Sequence, residues 1–173
     1  MAQMLAEIVE PYFERSYRHF CSHSQTPPQP TASGYAAAIR KGKVIYLSFP
    51  VFQAFGQYGN ISYRQLVENC IALLLQRRLV SISAPSTAEV TVMRQGKRAV
   101  VHILSFCAER RKDLDIIEDI VPLHDTPLTF RLGHAPRHVY LAPSRQALSF
   151  DYHDGRVSVI IPRIDGHQMV VFE

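Results

Sequence analysis

Residues 138–172 read HVYLAPSRQALSFDYHDGRVSVIIPRIDGHQMVVF, and this stretch decides the fold of the second half of the chain. It contains short β-prone apolar runs, several of them alternating with polar residues at the period of a strand, and turn residues separate the runs. Turns are predicted at Pro143, Asp154-Gly155 and Asp165-Gly166. Short strands joined by closely spaced turns are typical of an antiparallel sandwich.

The same period-two pattern begins near Val90 and continues to the end of the chain, apart from a predicted charged loop at 109–115. Further strands are predicted at 99–106, 117–121, 128–132, 138–141, 147–152, 157–161 and 168–172. In a sandwich, one side of each strand faces the second sheet. We expect the inward-facing side chains to be Val101, Ile103, Leu128, Phe130, Val139, Leu141, Val159, Ile161, Val170 and Phe172.

The first half of the chain has a different pattern. Apolar residues recur at steps of three and four over 1–20, which predicts a helix, or two short ones because Pro11 interrupts the run. Two β-prone runs at 35–39 and 44–49 flank a turn containing Gly42, which predicts a hairpin. A helix is predicted over 62–78, with Ser62 as its N-cap. Its apolar stripe consists of Leu66, Val67, Cys70, Ile71, Leu74 and Leu75.

Residues 81–87 read SISAPST, a small, polar, proline-containing composition that is typical of a connection between units. The hydrophobic period also changes across this stretch. We therefore predict two domains, 1–82 and 83–173, with the second able to fold alone.

Composition bounds the class of protein. Apolar residues make up 47% and charged residues 20% of the 173 residues, which is typical of a folded globular chain. No window is apolar enough for a signal peptide or a membrane span, and three widely separated cysteines favour reduced thiols, so we expect a cytoplasmic protein. The net charge of +4 comes from basic residues spread along the chain, which argues against nucleic-acid binding.

Several motifs together resemble a known group of proteins. In the first half they are YFERSYRHFCSH at 12–23, QTPP at 25–28 and GKVIY at 42–46. In the second half they are VHIL at 101–104, ERR at 109–111, IVPLHD at 120–125 and VVFE at 170–173. The first set resembles the distal part of the β-galactosidase trimerisation domain. The second set resembles the all-β end of the same proteins, which are glycosyl hydrolases related to family 42 β-galactosidases.

The resemblance implies an α+β fold class: a truncated flavodoxin-like α/β segment of the amidotransferase-like kind at 1–82, followed by an antiparallel β-sandwich at 83–173. It also implies a non-catalytic accessory and oligomerisation region. The catalytic barrel of such hydrolases, at roughly 250 residues, does not fit in this chain, so no catalytic carboxylates are assigned. The implied partner is a second copy of the chain or a separate catalytic-barrel chain.

No catalytic, metal or cofactor site is assigned from the residues. Asp113, Asp115, Glu118 and Asp119 are interpreted as solvated loop charges, and Asp151, His153 and Asp154 as the approach to a turn. His19, Cys21 and His23 could hold a metal on one side of an extended segment, but no second ligand pair follows. The alternative is a buried thiol between hydrogen-bonded histidines. Cys21 lacks the glycine-flanked elbow of an amidotransferase nucleophile, and no glycine-rich phosphate loop is present.

Aromatic residues before the predicted helix are the candidate interface or ligand residues: Phe49, Phe52, Phe55, Tyr58 and Tyr63. They could form the core edge, anchor a subunit interface or stack on sugar rings. The alternative function is a carbohydrate-binding module of the sandwich type, with sugar held by Tyr140, Phe150 and Tyr152. A third hypothesis is a stand-alone hydrolase that uses Asp and His residues.

Overall fold

A computed structural model of the chain describes residues 1–13, 17–18 and 26–173. The chain divides into two compact units, Met1–Gln76 and Arg77–Glu173, which we call unit 1 and unit 2. Within the described ranges, no helix is both long enough and apolar enough to cross a membrane.

Unit 1 contains a small sheet and two helices. The strands β1 (Gln3–Glu7), β2 (Ala36–Lys41) and β3 (Val44–Leu47) form an antiparallel sheet in the order β1-β2-β3. The helices α1 (Val51–Tyr58) and α2 (Ile61–Leu74) follow. The predicted hairpin is confirmed as β2–β3, and Gly42 adopts a φ of 58° in its turn, a conformation that glycine takes without a steric cost.

Helix α2 confirms the predicted helix but not its ends. Its N-cap is Asn60, whose side-chain oxygen accepts a hydrogen bond from the Ser62 backbone N–H at 2.9 Å. The N-cap thus lies two residues before the predicted Ser62. Asn and Ser are about equally favoured at this position. The helix ends at Leu74, so Arg77 and Arg78 lie beyond its last turn.

The predicted α+β class with a flavodoxin-like first segment is wrong. A flavodoxin-like layer needs parallel strands joined through helices, whereas β2 pairs antiparallel with both β1 and β3. The turn between β2 and β3 is too short for a parallel crossover. The helix predicted over 1–20 is also wrong at Gln3–Glu7, which is strand β1. A run this short fits both the helical period and the strand period, and it forms a strand here because it pairs with β2.

Unit 2 is an antiparallel sandwich of two four-stranded sheets, which we call sheet I (β10-β13-β6-β5) and sheet II (β11-β12-β9-β4). A two-stranded hairpin, β7-β8, stands apart from them. The strands are β4 (Val80–Ile82), β5 (Ala88–Gln95), β6 (Arg98–Ser105), β7 (Glu109–Arg111), β8 (Leu114–Ile116), β9 (Leu123–Arg131), β10 (Val139–Ala142), β11 (Phe150–His153), β12 (Arg156–Ile164) and β13 (His167–Phe172).

The core lies between sheets I and II. Every side chain of the predicted inward-facing set belongs to this single buried cluster, so that prediction is confirmed. Phe130 of sheet II packs on Phe172 of sheet I with ring centroids 4.8 Å apart. The predicted turn at Asp154-Gly155 is also confirmed, because both residues have positive φ and join β11 to β12 as a tight hairpin.

Three local predictions in unit 2 are wrong. The stretch 117–121 forms no strand, and the charged run predicted as a loop forms the hairpin β7–β8, with Lys112 at a φ of 58° in its turn. The predicted connection 81–87 begins inside β4, whose residues pair with β9. Each error concerns a segment of few residues whose state depends on a partner strand, which local composition does not reveal.

Candidate binding surfaces

The structure separates the five predicted aromatics into two groups. Phe49 and Tyr63 are half-buried and face each other, with ring centroids 6.4 Å apart. Phe52, Phe55 and Tyr58 lie on α1 and expose 75%, 39% and 69% of their surface. The first pair serves packing within unit 1, whereas the α1 residues are available for contact with another molecule.

Helix α2 carries exposed apolar side chains as well. Not one of its residues is buried, although its sequence contains the predicted apolar stripe. The exposed members of that stripe are Ile71, Leu74 and Leu75, and Ile61 at the start of the helix is exposed as well. We call these four residues together with Phe52, Phe55 and Tyr58 the helical apolar set. Unit 1 thus presents two helices with apolar side chains in water, which is costly unless another surface covers them.

Sheet I has an apolar outer face as well as an apolar inner one. Val101 and Val170 point into the core, so their neighbours Val100 and Val171 point outward, yet both are buried. The register places Met93, Val100, Val171 and Tyr140 in one row across the four strands. This row is the floor of a groove of about 530 Å³, which we call the sheet I groove.

Polar groups surround the buried ring of Tyr140 at one end of this groove. Arg98 Nη1 donates a hydrogen bond to the Tyr140 hydroxyl at 3.3 Å, and that hydroxyl donates to Glu173 Oε2 at 3.3 Å. The hydrogen bond with Tyr140 raises the pKa of the Arg98 guanidinium above its ordinary value. The Arg145 guanidinium lies 5.6 Å from the centroid of the same ring. Tyr140 is thereby held in a fixed position.

A pair of histidines lies on the same outer face. His102 Nδ1 is 3.2 Å from His167 Nε2, and the two rings stack with centroids 5.4 Å apart. The side chains come from adjacent strands of sheet I, where His102 is paired with Met169 and His167 with Leu104. The sequence alone does not reveal this pair, because the two histidines meet only through the pairing of β6 with β13.

The three aromatics predicted for sugar binding do not form one platform. Tyr140 exposes only 9% of its surface, on the outer side of sheet I. Phe150 is half-buried against the core, and the Tyr152 hydroxyl donates to the Leu132 carbonyl oxygen at 3.3 Å. A sugar ring needs an exposed aromatic face, so these residues cannot act together.

Acidic and metal-ligating residues are the remaining predicted groups. All acidic residues that the structure describes are exposed, among them Asp113, Asp115, Glu118 and Asp119. Within the described ranges, no three His, Cys, Asp or Glu side chains come close enough to hold a metal ion. His19, Cys21 and His23 lie outside the described residues.

Comparisons with known proteins add a relation over the whole chain. No family model and no curated protein matches. Among solved structures, the chain is similar to α-L-fucosidase isoenzyme 2 from Paenibacillus thiaminolyticus, with a TM-score of 0.92 and 27% identity. That alignment covers 99% of this chain and 27% of the fucosidase.

A second solved structure is a cycloisomaltooligosaccharide glucanotransferase from Paenibacillus sp., complexed with cycloisomaltoheptaose. It has a TM-score of 0.44 and 17% identity over 54% of this chain and 16% of its own, too low a similarity to carry an argument. This chain spans about a quarter of the fucosidase's length. Over almost its whole length, the chain is similar to a region of a glycoside hydrolase.

Proposed function

We propose that this chain is a non-catalytic accessory region of a glycoside-hydrolase-like protein, and that unit 1 joins it to a second copy of itself. One observation carries the proposal. Among the described residues of unit 1, the only buried apolar side chains are Ala38 and Val51, while the helical apolar set is exposed. A unit with so little buried apolar surface gains stability by covering its exposed residues with a partner.

The sheet of unit 1 supports a second copy as that partner. Its outer strands β1 and β3 each have one side without a strand partner in the described residues. Val44 and Tyr46 of β3 are exposed as well. An exposed edge can pair with the same edge of another copy, and two-fold pairing of identical surfaces is the commonest form of self-assembly.

The positions of the carboxylates support the non-catalytic part. Glycoside hydrolysis needs two carboxyl groups roughly 5–10 Å apart across a sugar site, one of them kept protonated by its surroundings. All the described carboxylates are exposed to solvent, so none lies in the enclosed setting from which a closed active site excludes water. We expect no turnover of aryl α-L-fucosides or aryl β-galactosides, and turnover abolished by Asp151→Asn would contradict this expectation.

The more specific relation to family 42-related hydrolases and their trimerisation domain is part of the proposal as well. What it contributes is a role in assembly. The flavodoxin-like fold that was expected with this relation is not part of the proposal, because the sheet of unit 1 is antiparallel.

Light scattering of the intact chain tests self-association. At tens of micromolar the mass should be a multiple of 19.7 kDa. Phe52→Ser combined with Tyr58→Ser should reduce it to the monomer, because both side chains are largely exposed on α1. Ile160→Ser is the control, since it removes a largely exposed apolar side chain from unit 2 and should leave the mass unchanged.

Three outcomes would contradict the proposal. The first is a monomer throughout the micromolar range, and the second is an assembly that survives both α1 substitutions. The third is a monomer that associates only with a separate catalytic-barrel chain, which would replace the second copy as the partner. Circular dichroism of each variant checks that its sandwich remains folded.

Carbohydrate binding is the second candidate function, and the sheet I groove is the observation that favours it. Its volume of about 530 Å³ is in the range of small-ligand sites. Titration calorimetry with neutral oligosaccharides distinguishes it from the first candidate. Binding heat that disappears on Val171→Arg would support carbohydrate binding in the sheet I groove. No binding heat with any neutral oligosaccharide would exclude this function.

A further inference from the structure

Sheet II has two arginines directly opposite each other on its outer face. Arg131 of β9 and Arg156 of β12 are partners in the strand register. Their neighbours Phe130 and Val157 are buried in the core, so the two arginines point away from it. Like charges directly opposite in an antiparallel pair destabilise the sheet. The pair therefore carries a cost that the fold does not explain.

The chain supplies little to offset this cost. The Nε atom of Arg131 is shielded from solvent and has no hydrogen-bond partner. Acidic groups are nearby, but in the part of the chain that the structure describes neither guanidinium forms an ion pair with them. A shielded donor without a partner is itself unfavourable. An anion bound between the two guanidinium groups would offset the repulsion.

The surrounding side chains form a polar site on the same face. Thr129 and Ser158 are paired in the next row of the register, and Asp151 is paired with Ser158. His153 is paired with Arg156, and its Nδ1 is 3.1 Å from Asp154 Oδ2. With Arg77 these residues line an open depression of about 810 Å³.

We propose that this depression binds a saccharide that carries an anionic group. The carboxylate or sulfate lies between Arg131 and Arg156, because guanidinium groups bind such anions through paired hydrogen bonds. The sugar hydroxyls bond to Ser158, Thr129 and Asp151. Asp151 favours a sugar over a bare anion, since its carboxylate repels an anion but accepts hydrogen bonds from hydroxyls. The choice of a saccharide rests on the relation to glycoside hydrolases in the proposed function.

Titration calorimetry of the intact chain with four probes tests the proposal. Tetragalacturonate carries carboxylates and no sulfates, a κ-carrageenan-derived tetrasaccharide carries sulfates and no carboxylates, maltotetraose is neutral, and inorganic sulfate is the free anion. At least one anionic saccharide should bind at least about tenfold more tightly than maltotetraose and inorganic sulfate, because only it uses both the arginines and the hydroxyl partners. Which of the two binds identifies the anionic group.

Two single substitutions and a control locate the site. Arg156→Gln and Arg131→Gln should each weaken binding by at least about tenfold, the cost of losing a charge-assisted pair. Arg156 is exposed, so its variant should keep the fold even if the half-buried Arg131 does not tolerate replacement. Arg163→Gln is the matched control and should leave binding unchanged. Arg163 lies on β12, as Arg156 does, and its Nη2 is 2.8 Å from Asp165 Oδ2.

The proposal is overturned if no anionic saccharide binds, or if inorganic sulfate binds as tightly as the saccharide. It is also overturned if maltotetraose binds equally well, or if Arg163→Gln weakens binding as much as Arg156→Gln. Light scattering separates these outcomes from the self-association proposal, since a chain that proves monomeric can still bind the saccharide.

Discussion

The two units of this chain differ in how they bury their apolar residues. In unit 2, sheets I and II face each other and enclose a single core of aliphatic and aromatic side chains. In unit 1, one three-stranded sheet and two helices leave most apolar side chains exposed within the described ranges. A similar content of apolar residues therefore yields an enclosed core in one unit and an exposed apolar surface in the other.

The difference follows from the elements available to each unit. Two sheets of four strands can turn their apolar faces toward each other, so each covers the other. A single small sheet with short helices has less surface to bury, and small units are marginal for that reason. The second unit encloses its apolar residues in a core, and the first leaves an apolar surface that, in the proposed function, a second copy covers.

Separating the two units should have the largest effect. A polypeptide of residues 77–173 should melt cooperatively, since it contains every strand of the sandwich. A polypeptide of residues 1–76 should not show a cooperative melt as a monomer, because it buries too little apolar surface. Thermal denaturation followed by circular dichroism measures both.

A second start site sharpens this test. A polypeptide of residues 86–173 lacks β4, which pairs with β9 at the edge of sheet II. It should fold, but with a lower melting temperature than residues 77–173. A cooperative melt from unit 1 alone, with unit 2 unfolded, would reverse the comparison.

Two neighbouring residues on β12 give a smaller, matched contrast. Ile161 is fully buried in the core, whereas Ile160 exposes 60% of its surface. Ile161→Ala should lower the free energy of unfolding by about 2–5 kcal/mol, because it removes buried methyl groups and leaves a cavity. Ile160→Ala should cost about 1 kcal/mol or less. Urea denaturation measures both, and equal losses would show that β12 is not oriented as described.

The sandwich core was predictable from sequence because its signal is local. Alternation along β12 identifies Val157, Val159 and Ile161 as one face without knowledge of any partner strand. Strands β1 and β4 were not predictable in the same way. Each is a short run that becomes a strand only by pairing with a distant segment, β2 in one case and β9 in the other.

The candidate sites show the same division. The exposed aromatics of α1 were found because they cluster along the sequence. The pairing of Arg131 with Arg156 was not, since it depends on the register between β9 and β12. Such cross-strand pairs become visible only when the strand order is known.

Hydrogen exchange followed by mass spectrometry, at about 1 µM and about 100 µM protein, tests the central claim most directly, since self-association makes stability depend on concentration. Amides of β2, β3 and α2 should be better protected at the higher concentration, while those of β6, β12 and β13 should be equally protected at both. Protection of unit 1 that is strong and unchanged in the dilute sample would contradict the claim that a second copy completes it.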